Sequence, residues 1–254
     1  MLTGTRPASA GHIARLAAEF WMDAGGADDF PREPEPLISL TLPIAMQAVP
    51  NLSCDVVADR AARLGFPPLE DLPDRQLRGC LLSYGGTALL LVDAVDDRRQ
   101  RRVTVAHELG HFLIEIHEPR RRVVRTLGDD ALAVLDGIRP ATFEERLNAV
   151  LAGTPLGVHV HLMTREDDCS IACARIAAAE CAADDFALEL LAPRSSLRAE
   201  VVALAGRPLQ ERWASVTSIL IERYDLPPII AGGYAKHLVH DLTGSESVRE
   251  RLGL

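Results

Sequence analysis

The stretch between Val103 and Pro119 constrains this chain more than any other. It reads VTVAHELGHFLIEIHEP, in which His107, Glu108 and His111 form an H-E-x-x-H pattern. Residues four apart on a helix lie on the same face, so the two imidazoles can bind one metal ion together. Glu108 is one residue further round the helix and can reach a water molecule bound to that ion, whose proton it would accept as a general base. The pattern predicts a metal site on a helix, and neutral imidazole ligands favour zinc.

The helix that carries the motif is expected to be mostly buried, because apolar residues flank the motif on both sides. These residues are Val103, Val105, Ala106, Leu109, Phe112, Leu113 and Ile116. Unpaired histidines would be costly in such a helix. Gly110 costs roughly 1 kcal/mol of helix stability relative to Ala, so its presence indicates that another backbone or a substrate comes close. Glu118 and Pro119 predict the end of this helix.

The composition is that of an ordinary soluble globular protein. The 254 residues suffice for one large domain or two small ones, with 48% hydrophobic and 25% charged residues. No apolar signal core opens the sequence, and no run approaches the roughly 18 apolar residues of a membrane span. These features predict a cytoplasmic protein without a membrane partner. A net charge of −9 disfavours a constitutive nucleic-acid binder.

Hydrophobic periodicity predicts mainly helices, with one hairpin and one further strand. Besides the motif helix, the predicted helices cover residues 11–23, 53–64, 129–136, 142–152, 170–192, 196–205, 209–224 and 228–241. Two apolar runs around residues 83–86 (SYGG) predict the hairpin. Residues 156–163 predict the further strand, with His159 and His161 on one side of it. Three prolines at residues 30–37 predict a loop.

A catalytic zinc site needs a third protein ligand and an open position, and two residues compete for that role. His117 follows His111 at the metzincin spacing, but Ile114 stands where that pattern has a glycine. A helix that continues through Ile114 would turn His117 away from the metal. A histidine in the last turn of a helix is also favoured by the helix dipole alone.

Glu180 is the other candidate, and it belongs to the predicted helix at residues 170–192. Asp184 lies four residues later on the same face, and two like charges placed in this way are destabilising. That cost would be offset if Glu180 were a metal ligand and Asp184 accepted the free ring N–H of a ligand histidine. The other interpretation is a solvated acidic edge on this helix.

Two blocks of the sequence resemble the ImmA/IrrE family of metallo-endopeptidases. The first block is RRVTVAHELGHFL and the second is ECAADDFALELLAP. The residues of the second block that match the family signature are Glu180, Asp184, Phe186, Ala187, Glu189, Leu190, Leu191 and Pro193. Weaker similarity extends upstream through RQLRGCLLSYGGTALLLVD, so the resemblance covers roughly residues 50–193.

The resemblance implies roles for four residues. His107, His111 and Glu180 would be zinc ligands, and Glu108 would be the general base. The implied fold is α+β and mainly helical, with a short antiparallel sheet packed on the helices that carry a gluzincin-like zinc site.

The resemblance also implies an organisation and a function. Residues 1–193 would form a zinc peptidase domain, and residues 194–254 a helical region packed on it. Residues 120–168 lengthen the chain between the two motif blocks and predict an insertion near the cleft. Members of the family typically cut a partner transcriptional repressor once, often in response to DNA damage. A cytoplasmic zinc endopeptidase with a helix-turn-helix repressor as its substrate is therefore expected.

A non-catalytic protein is the alternative, in which zinc only stabilises a regulatory or DNA-sensing binding module. Glu108 discriminates between the two classes, because a purely structural site needs no acid beside an open position. The predicted helices at 209–224 and 228–241 could mimic a helix-turn-helix. Their surroundings are not basic, so packing is the favoured role.

The five cysteines predict no disulfide framework, since their number is odd and a reducing compartment is expected. They are Cys54, Cys80, Cys169, Cys173 and Cys181. Cys169 and Cys173 are four residues apart, a spacing that would suit metal binding. No second pair of cysteines follows that could complete such a site. Most free cysteines are small buried hydrophobes. The sharper hypothesis is that Cys80, whose strand precedes the motif helix, fills the open zinc position and inhibits the site.

Two groups of arginines flank the motif helix. The first is Arg98, Arg99, Arg101 and Arg102, and the second is Arg120, Arg121, Arg122 and Arg125. One interpretation is a solvated face paired with the abundant Asp and Glu residues. The other is a track for phosphate or an acidic peptide. Single-stranded DNA, a polyanion produced by DNA damage, is the activator that this second interpretation predicts.

Overall fold

The computed structural model describes residues 9–26, 29–69, 75–146, 159–164 and 174–243. The helices are α1 (Ala10–Asp23), α2 (Glu35–Thr41), α3 (Cys54–Arg63), α4 (Arg98–His111), α5 (Glu118–Leu127), α6 (Leu132–Leu135), α7 (Ala174–Leu191), α8 (Arg194–Ala203), α9 (Leu209–Glu222) and α10 (Pro228–Thr243). The strands are β1 (Ile44–Val49), β2 (Leu77–Tyr84), β3 (Thr87–Asp93) and β4 (His159–Thr164). A π-helical turn (Phe112–His117) joins α4 to α5, and a 3-10 turn (Asp129–Ala131) precedes α6.

The four strands form one mixed sheet in the order β1-β3-β2-β4. β2 and β3 are the predicted hairpin, and β4 pairs antiparallel with β2. β1 pairs parallel with β3, so the expectation of a purely antiparallel sheet is wrong. The residues of β1 do not alternate clearly between apolar and polar, and their partner strand lies far along the chain. Local periodicity therefore gave no signal for β1.

The sheet separates two apolar clusters. Leu81, Leu90 and Val92 point toward α4 and the larger helical core. Cys80 and Leu82 point to the opposite face, where α3 and neighbouring apolar residues cover the sheet. Because successive side chains of a strand face opposite sides, the register of β2 decides which residues can reach α4.

Helix α4 lies between the sheet and α7, and the contact with α7 is close. A Cβ atom at Gly110 would lie 3.1 Å from both the Ala183 Cα and the Phe186 Cδ1, and 3.2 Å from the Ala183 carbonyl oxygen. The absence of a side chain at Gly110 lets the two helix backbones approach. The close backbone neighbour predicted for Gly110 is confirmed, and it is α7.

The sequence predicted that the motif helix ends at Glu118 and Pro119, and this prediction is wrong. It continues into α5 through the π-helical turn, where the Glu118 N–H donates to the Leu113 carbonyl five residues earlier. Proline is tolerated in the first turn of a helix because the N–H groups of that turn have no acceptor within the helix, so the missing N–H of proline costs no hydrogen bond there. The wider π-helical turn lets α5 begin at this point, so Pro119 does not stop the chain from remaining helical.

Buried contacts hold the N-terminal end of α4. Asp97 caps the helix by accepting a hydrogen bond from the Gln100 N–H (3.0 Å). Arg102 is only 2% exposed and donates to the carbonyl oxygens of Tyr224 and Asp225. Arg102 therefore ties α4 to the connection between α9 and α10.

The C-terminal helices share the larger core. Leu197 of α8, Val216 and Leu220 of α9 and Leu238 of α10 belong to the same cluster as Leu109 of α4. These helices lie close to the predicted positions. One apolar cluster contains residues from both sides of residue 193. The division of the chain into two regions at that residue stays a prediction. No helix among the described ranges has both the length and the apolar character needed to cross a bilayer.

Several predicted elements differ from the structure. α2 begins inside the predicted loop at 30–37, and α6 with its 3-10 turn is shorter than the helix predicted at 129–136. Residues 143–146 are helical, but the rest of the helix predicted at 142–152 lies outside the described residues. The first residues of the predicted strand at 156–163 and of the predicted helix at 170–192, with Cys169 and Cys173, also lie outside them.

The contact at Gly110 predicts a loss of stability when a side chain is added there. Gly110→Val should lower the free energy of unfolding by about 1–3 kcal/mol, the usual cost of overpacking, because the new methyl groups meet the α7 backbone. Urea denaturation of the metal-free protein measures the effect. Gly232→Val is the matched control, since Gly232 also lies in a helix and has no atom within 4 Å of a Cβ placed there. Equal losses in the two variants would show that the contact has no energetic weight.

Candidate metal centre

Four side chains from three elements converge beside the sheet. His107 and His111 come from α4, Glu180 from α7 and His161 from β4. Each offers one ligand atom, and these atoms all lie within 4.8 Å of one another. The structure therefore brings together the three predicted ligands and adds a fourth residue. This group could hold a metal ion.

The spacing of the donor atoms fits a small metal ion. The His107 Nε2 lies 3.1 Å from the His111 Nε2 and 3.4 Å from the Glu180 Oε2. The Glu180 Oε1 lies 3.7 Å from the His111 Nε2. Tetrahedral zinc with bonds of roughly 2.0–2.1 Å needs ligand atoms about 3.3 Å apart. The observed spacings lie close to that value.

Acids hold the far nitrogens of the two motif histidines. The His107 Nδ1 lies 2.8 Å from the Asp184 Oδ1, and the His111 Nδ1 lies 2.9 Å from the Glu115 Oε2. Such contacts place the proton on Nδ1 and leave the Nε2 lone pair directed at the cluster. Asp184 has the contact predicted for it. Glu115 was missed, although its position four residues after His111 was a readable signal.

The electrostatics favour a positive charge at the cluster. Burial lowers the pKa of His107, but hydrogen bonds with Asp184 and Glu180 outweigh burial and raise that pKa to about 9. Burial raises the pKa of Glu180, but contacts with the three histidines outweigh it and hold that pKa far below its usual range. Burial likewise lowers the pKa of His161, but contacts with Glu108 and Glu180 outweigh it and raise that pKa to about 10. Without a metal, His107 and His161 therefore carry the positive charge. A bound cation would supply it in their place.

Glu108 is fully buried beside the cluster, and only one of its oxygens has a partner. The Oε2 lies 2.8 Å from the His161 Nδ1, whereas the Oε1 has no hydrogen-bond partner among the described residues. An unpartnered buried carboxylate oxygen is costly.

Gly79 of β2 makes room for Glu108. A Cβ atom at Gly79 would lie 2.5 Å from the Thr104 Cγ2 and 3.0 Å from the Glu108 Oε1. Any side chain there would displace the side chains of Thr104 and Glu108. Sequence reasoning missed this role because it depends on which face of β2 Gly79 occupies.

His161 was not predicted as a ligand. It pairs with Leu81 across the β2–β4 ladder, so its side chain lies on the face of the sheet toward α4. Its Nε2 lies 2.8 Å from the Glu180 Oε1. The sequence predicted His159 and His161 on one side of a strand. It gave no indication that this strand lies beside the H-E-x-x-H motif. The predicted insertion at 120–168 thus contributes a strand and a side chain to the site.

No protein-family model matches this chain, and no curated protein or solved structure matches it at a significant level. The resemblance to the ImmA/IrrE family therefore rests on the residues of the two motif blocks.

Cys80 does not reach the cluster, which contradicts its predicted inhibitory role. It pairs with Leu162 on the face of the sheet opposite to that of Leu81 and His161. There it packs in the apolar cluster that contains Cys54. Burial also raises the pKa of the Cys80 thiol well above its usual value, so the thiolate that a metal needs is disfavoured.

His117 also lies outside the cluster, in agreement with the choice of Glu180 as third ligand. It ends the π-helical turn, and its ring stacks against that of Phe112 at a centroid distance of 5.7 Å. Burial and the neighbouring Arg121 lower the pKa of His117.

The first arginine group is largely neutralised within the fold. Arg98 and Arg99 form ion pairs with Asp225 at 3.6 and 2.5 Å. Arg101 lies 3.8 Å from Glu35. Arg102 is buried, so it cannot contact a nucleic acid, and the prediction is wrong for this residue.

The second group presents more positive charge to solvent. Arg121, Arg122 and Arg125 are exposed, whereas Arg120 is engaged with Asp136 at 2.6 Å. Arg121 and Arg122 also lie within 4 Å of Glu118. Contact with single-stranded DNA stays a prediction, and this second group carries it.

The ligand assignment predicts a difference between two variants. The purified protein should hold about one zinc ion per chain. Glu180→Ala should lose the metal, whereas His117→Ala should keep it, because Glu180 alone of these two residues offers a ligand atom to the cluster. Elemental analysis of dialysed protein measures both variants. The opposite result would indicate a metzincin-like site.

Asp184→Ala should bind zinc on the order of 10- to 100-fold more weakly, because the His107 ring loses the acid that orients it. Competition with a chromophoric chelator measures the affinity. Asp185→Ala is the matched control, since Asp185 is exposed on the same helix and has no contact with the four-residue group. Equal affinities in the two variants would remove Asp184 from the site.

Proposed function

We propose that this chain is a zinc-dependent endopeptidase that makes a site-specific cut in a partner protein. One observation carries the proposal. His107 and His111 on one helix and Glu180 on a second helix converge on a common point, with the buried carboxylate of Glu108 beside them. Three protein ligands and an adjacent acid are the requirements of hydrolytic zinc sites.

The donor set supports zinc as the ion. Imidazole nitrogens and a carboxylate suit a borderline cation, and the site presents no thiolate among the described residues. When bound, zinc supplies Lewis-acid chemistry that polarises a peptide carbonyl and makes water more acidic. His107, His111 and Glu180 would hold the ion, and Asp184 and Glu115 would orient the two imidazoles.

Glu108 would accept the proton of the attacking water. Burial raises the pKa of Glu108, but His161, His107 and His111 outweigh burial and lower that pKa below its usual value. The group is therefore a carboxylate, which is the form that a general base needs. The Oε2 is the oxygen on the side of the cluster, where it lies 2.8 Å from the His161 Nδ1.

The substrate proposal follows from the ImmA/IrrE resemblance. A helix-turn-helix transcriptional repressor would be cut in a stress or DNA-damage response. The exposed arginines of the second group support an anionic activator such as single-stranded DNA, since phosphate contacts depend on accessible positive charge. Phosphate contacts would also make this activation fall steeply as salt rises.

One observation favours a second candidate, a non-catalytic module that zinc only stabilises. His161 raises the number of donors to four, and structural zinc sites usually fill all four positions with protein ligands. A regulatory or DNA-sensing protein would need no more than this. Glu108 argues against that candidate, because a structural site would need this acid only to hold the His161 Nδ1. Its second oxygen is buried without a hydrogen-bond partner among the described residues, a cost that a structural site has no reason to bear.

Glu108→Gln tests the catalytic role. The variant should keep its zinc and its fold but lose cleavage, because an amide cannot accept the proton of water. Cleavage is measured by mass spectrometry on a proteome-derived peptide library and on any helix-turn-helix repressor that the neighbouring genes encode. Zinc content is measured on the same samples.

Glu211→Gln is the control for this substitution, since Glu211 is exposed on α9 and should leave cleavage unchanged. Full cleavage by Glu108→Gln would remove the general-base role. A protein that holds zinc and cuts neither substrate, with or without His161, would favour the non-catalytic module.

A further inference from the structure

His161 has a position that the hydrolytic site does not require. It projects from β4, the edge strand of the sheet, between the two carboxylates that the proposed reaction uses. The His161 Nδ1 lies 2.8 Å from the Glu108 Oε2, and the His161 Nε2 lies 2.8 Å from the Glu180 Oε1. The His161 ring stacks on the ring of His111, with centroids 3.6 Å apart and planes 24° apart.

We propose that His161 is a fourth protein donor that closes the metal site in the resting protein, so that β4 must move before a substrate can bind. This inference rests on the proposed peptidase function. It assigns to β4 the inhibitory role that the sequence had suggested for Cys80.

The first argument is that the three histidines have the same arrangement. Each directs its Nε2 toward the cluster and places its Nδ1 beside an acid. That acid is Asp184 for His107, Glu115 for His111 and Glu108 for His161. An acid on Nδ1 fixes the tautomer whose Nε2 can bind a metal. The contacts that prepare the two predicted ligands therefore also prepare His161.

The second argument is that His161 blocks the site in two ways. Hydrolytic zinc sites keep one position open, whereas sites with four protein donors are closed. An imidazole in the fourth position leaves no place for water or a peptide carbonyl. The same imidazole also occupies one oxygen of Glu108, the proposed proton acceptor. Removal of His161 would free both.

The third argument concerns how β4 is held. Within the described part of the chain β4 is an edge strand whose only partner is β2, so it can separate by breaking one ladder. Its residues 159–163 are only half-buried, whereas most of β2 is buried. An edge strand with partly exposed side chains opens at a lower free-energy cost than a central strand. Closure by β4 is therefore compatible with a site that must open.

Cobalt-substituted protein tests the coordination without any substrate. A four-donor site should give a visible cobalt absorption that does not change when azide is added. His161→Ala should open a position, so azide should shift the absorption of this variant. His159→Ala is the matched control: His159 lies on the same face of β4 but is paired with Glu115 at 3.6 Å, and it should behave like the wild type.

Cleavage of the peptide library by the zinc-loaded proteins is the second measurement. We expect His161→Ala to cut faster than the wild type and His159→Ala to cut at the wild-type rate. If His161→Ala does not fold, His161→Gln replaces it, because glutamine fills similar space and is a poor zinc ligand.

Three results would overturn the inference. An azide-induced shift in the wild-type protein would show that a position is already open. An azide-insensitive spectrum in the folded His161 variant would show that His161 is not a donor. An azide-sensitive variant that has lost cleavage would show that His161 takes part in the reaction and does not block it. A wild-type protein that binds neither cobalt nor zinc would instead reject the proposed function.

Discussion

The close approach of α4 and α7 is the constraint on which the site depends. His107 and His111 come from one helix and Glu180 from the other, so their donor atoms can meet only if the two backbones nearly touch. Gly110 permits this contact one residue before His111. Gly79 has the matching role on the other side of α4, where β2 passes over Glu108. The positions of the metal ligands and of Glu108 therefore depend on two glycines that bind no metal and act only by lacking a side chain.

A second constraint is electrostatic. Glu108, Glu115, Glu180 and Asp184 surround three imidazoles at a site where His107 and His111 are 2% and 1% exposed. Carboxylates packed this closely around buried imidazoles are unfavourable unless positive charge offsets them. Protons on His107 and His161 can offset them in the metal-free protein, since the pKa of His107 is raised to about 9 and that of His161 to about 10. Those protons would occupy nitrogens whose lone pairs a metal needs. The arrangement is best satisfied by a cation shared among these nitrogens and the Glu180 carboxylate.

Sequence reasoning recovered the parts of the site that are encoded locally. The i,i+4 spacing on a helix gave His107 with His111 and Glu180 with Asp184, and the structure keeps each pair on one helical face. His161 escaped because it reaches the site through pairing between distant strands. Cys80 was misplaced for a related reason, since a shift of one residue in register moves a strand side chain to the other face of the sheet. The parallel pairing of β1 and the continuation of the helix past Pro119 likewise depend on contacts that periodicity does not encode.

The measurement that tests the central claim most directly is X-ray absorption at the zinc edge of the metal-loaded protein. The account predicts nitrogen and oxygen neighbours at roughly 2.0–2.1 Å, with the outer-shell scattering of two or three imidazoles. The loss of one imidazole contribution in His107→Ala would assign that scattering to this site. A sulfur neighbour at roughly 2.3 Å, or a shell of oxygens without imidazole scattering, would contradict the account.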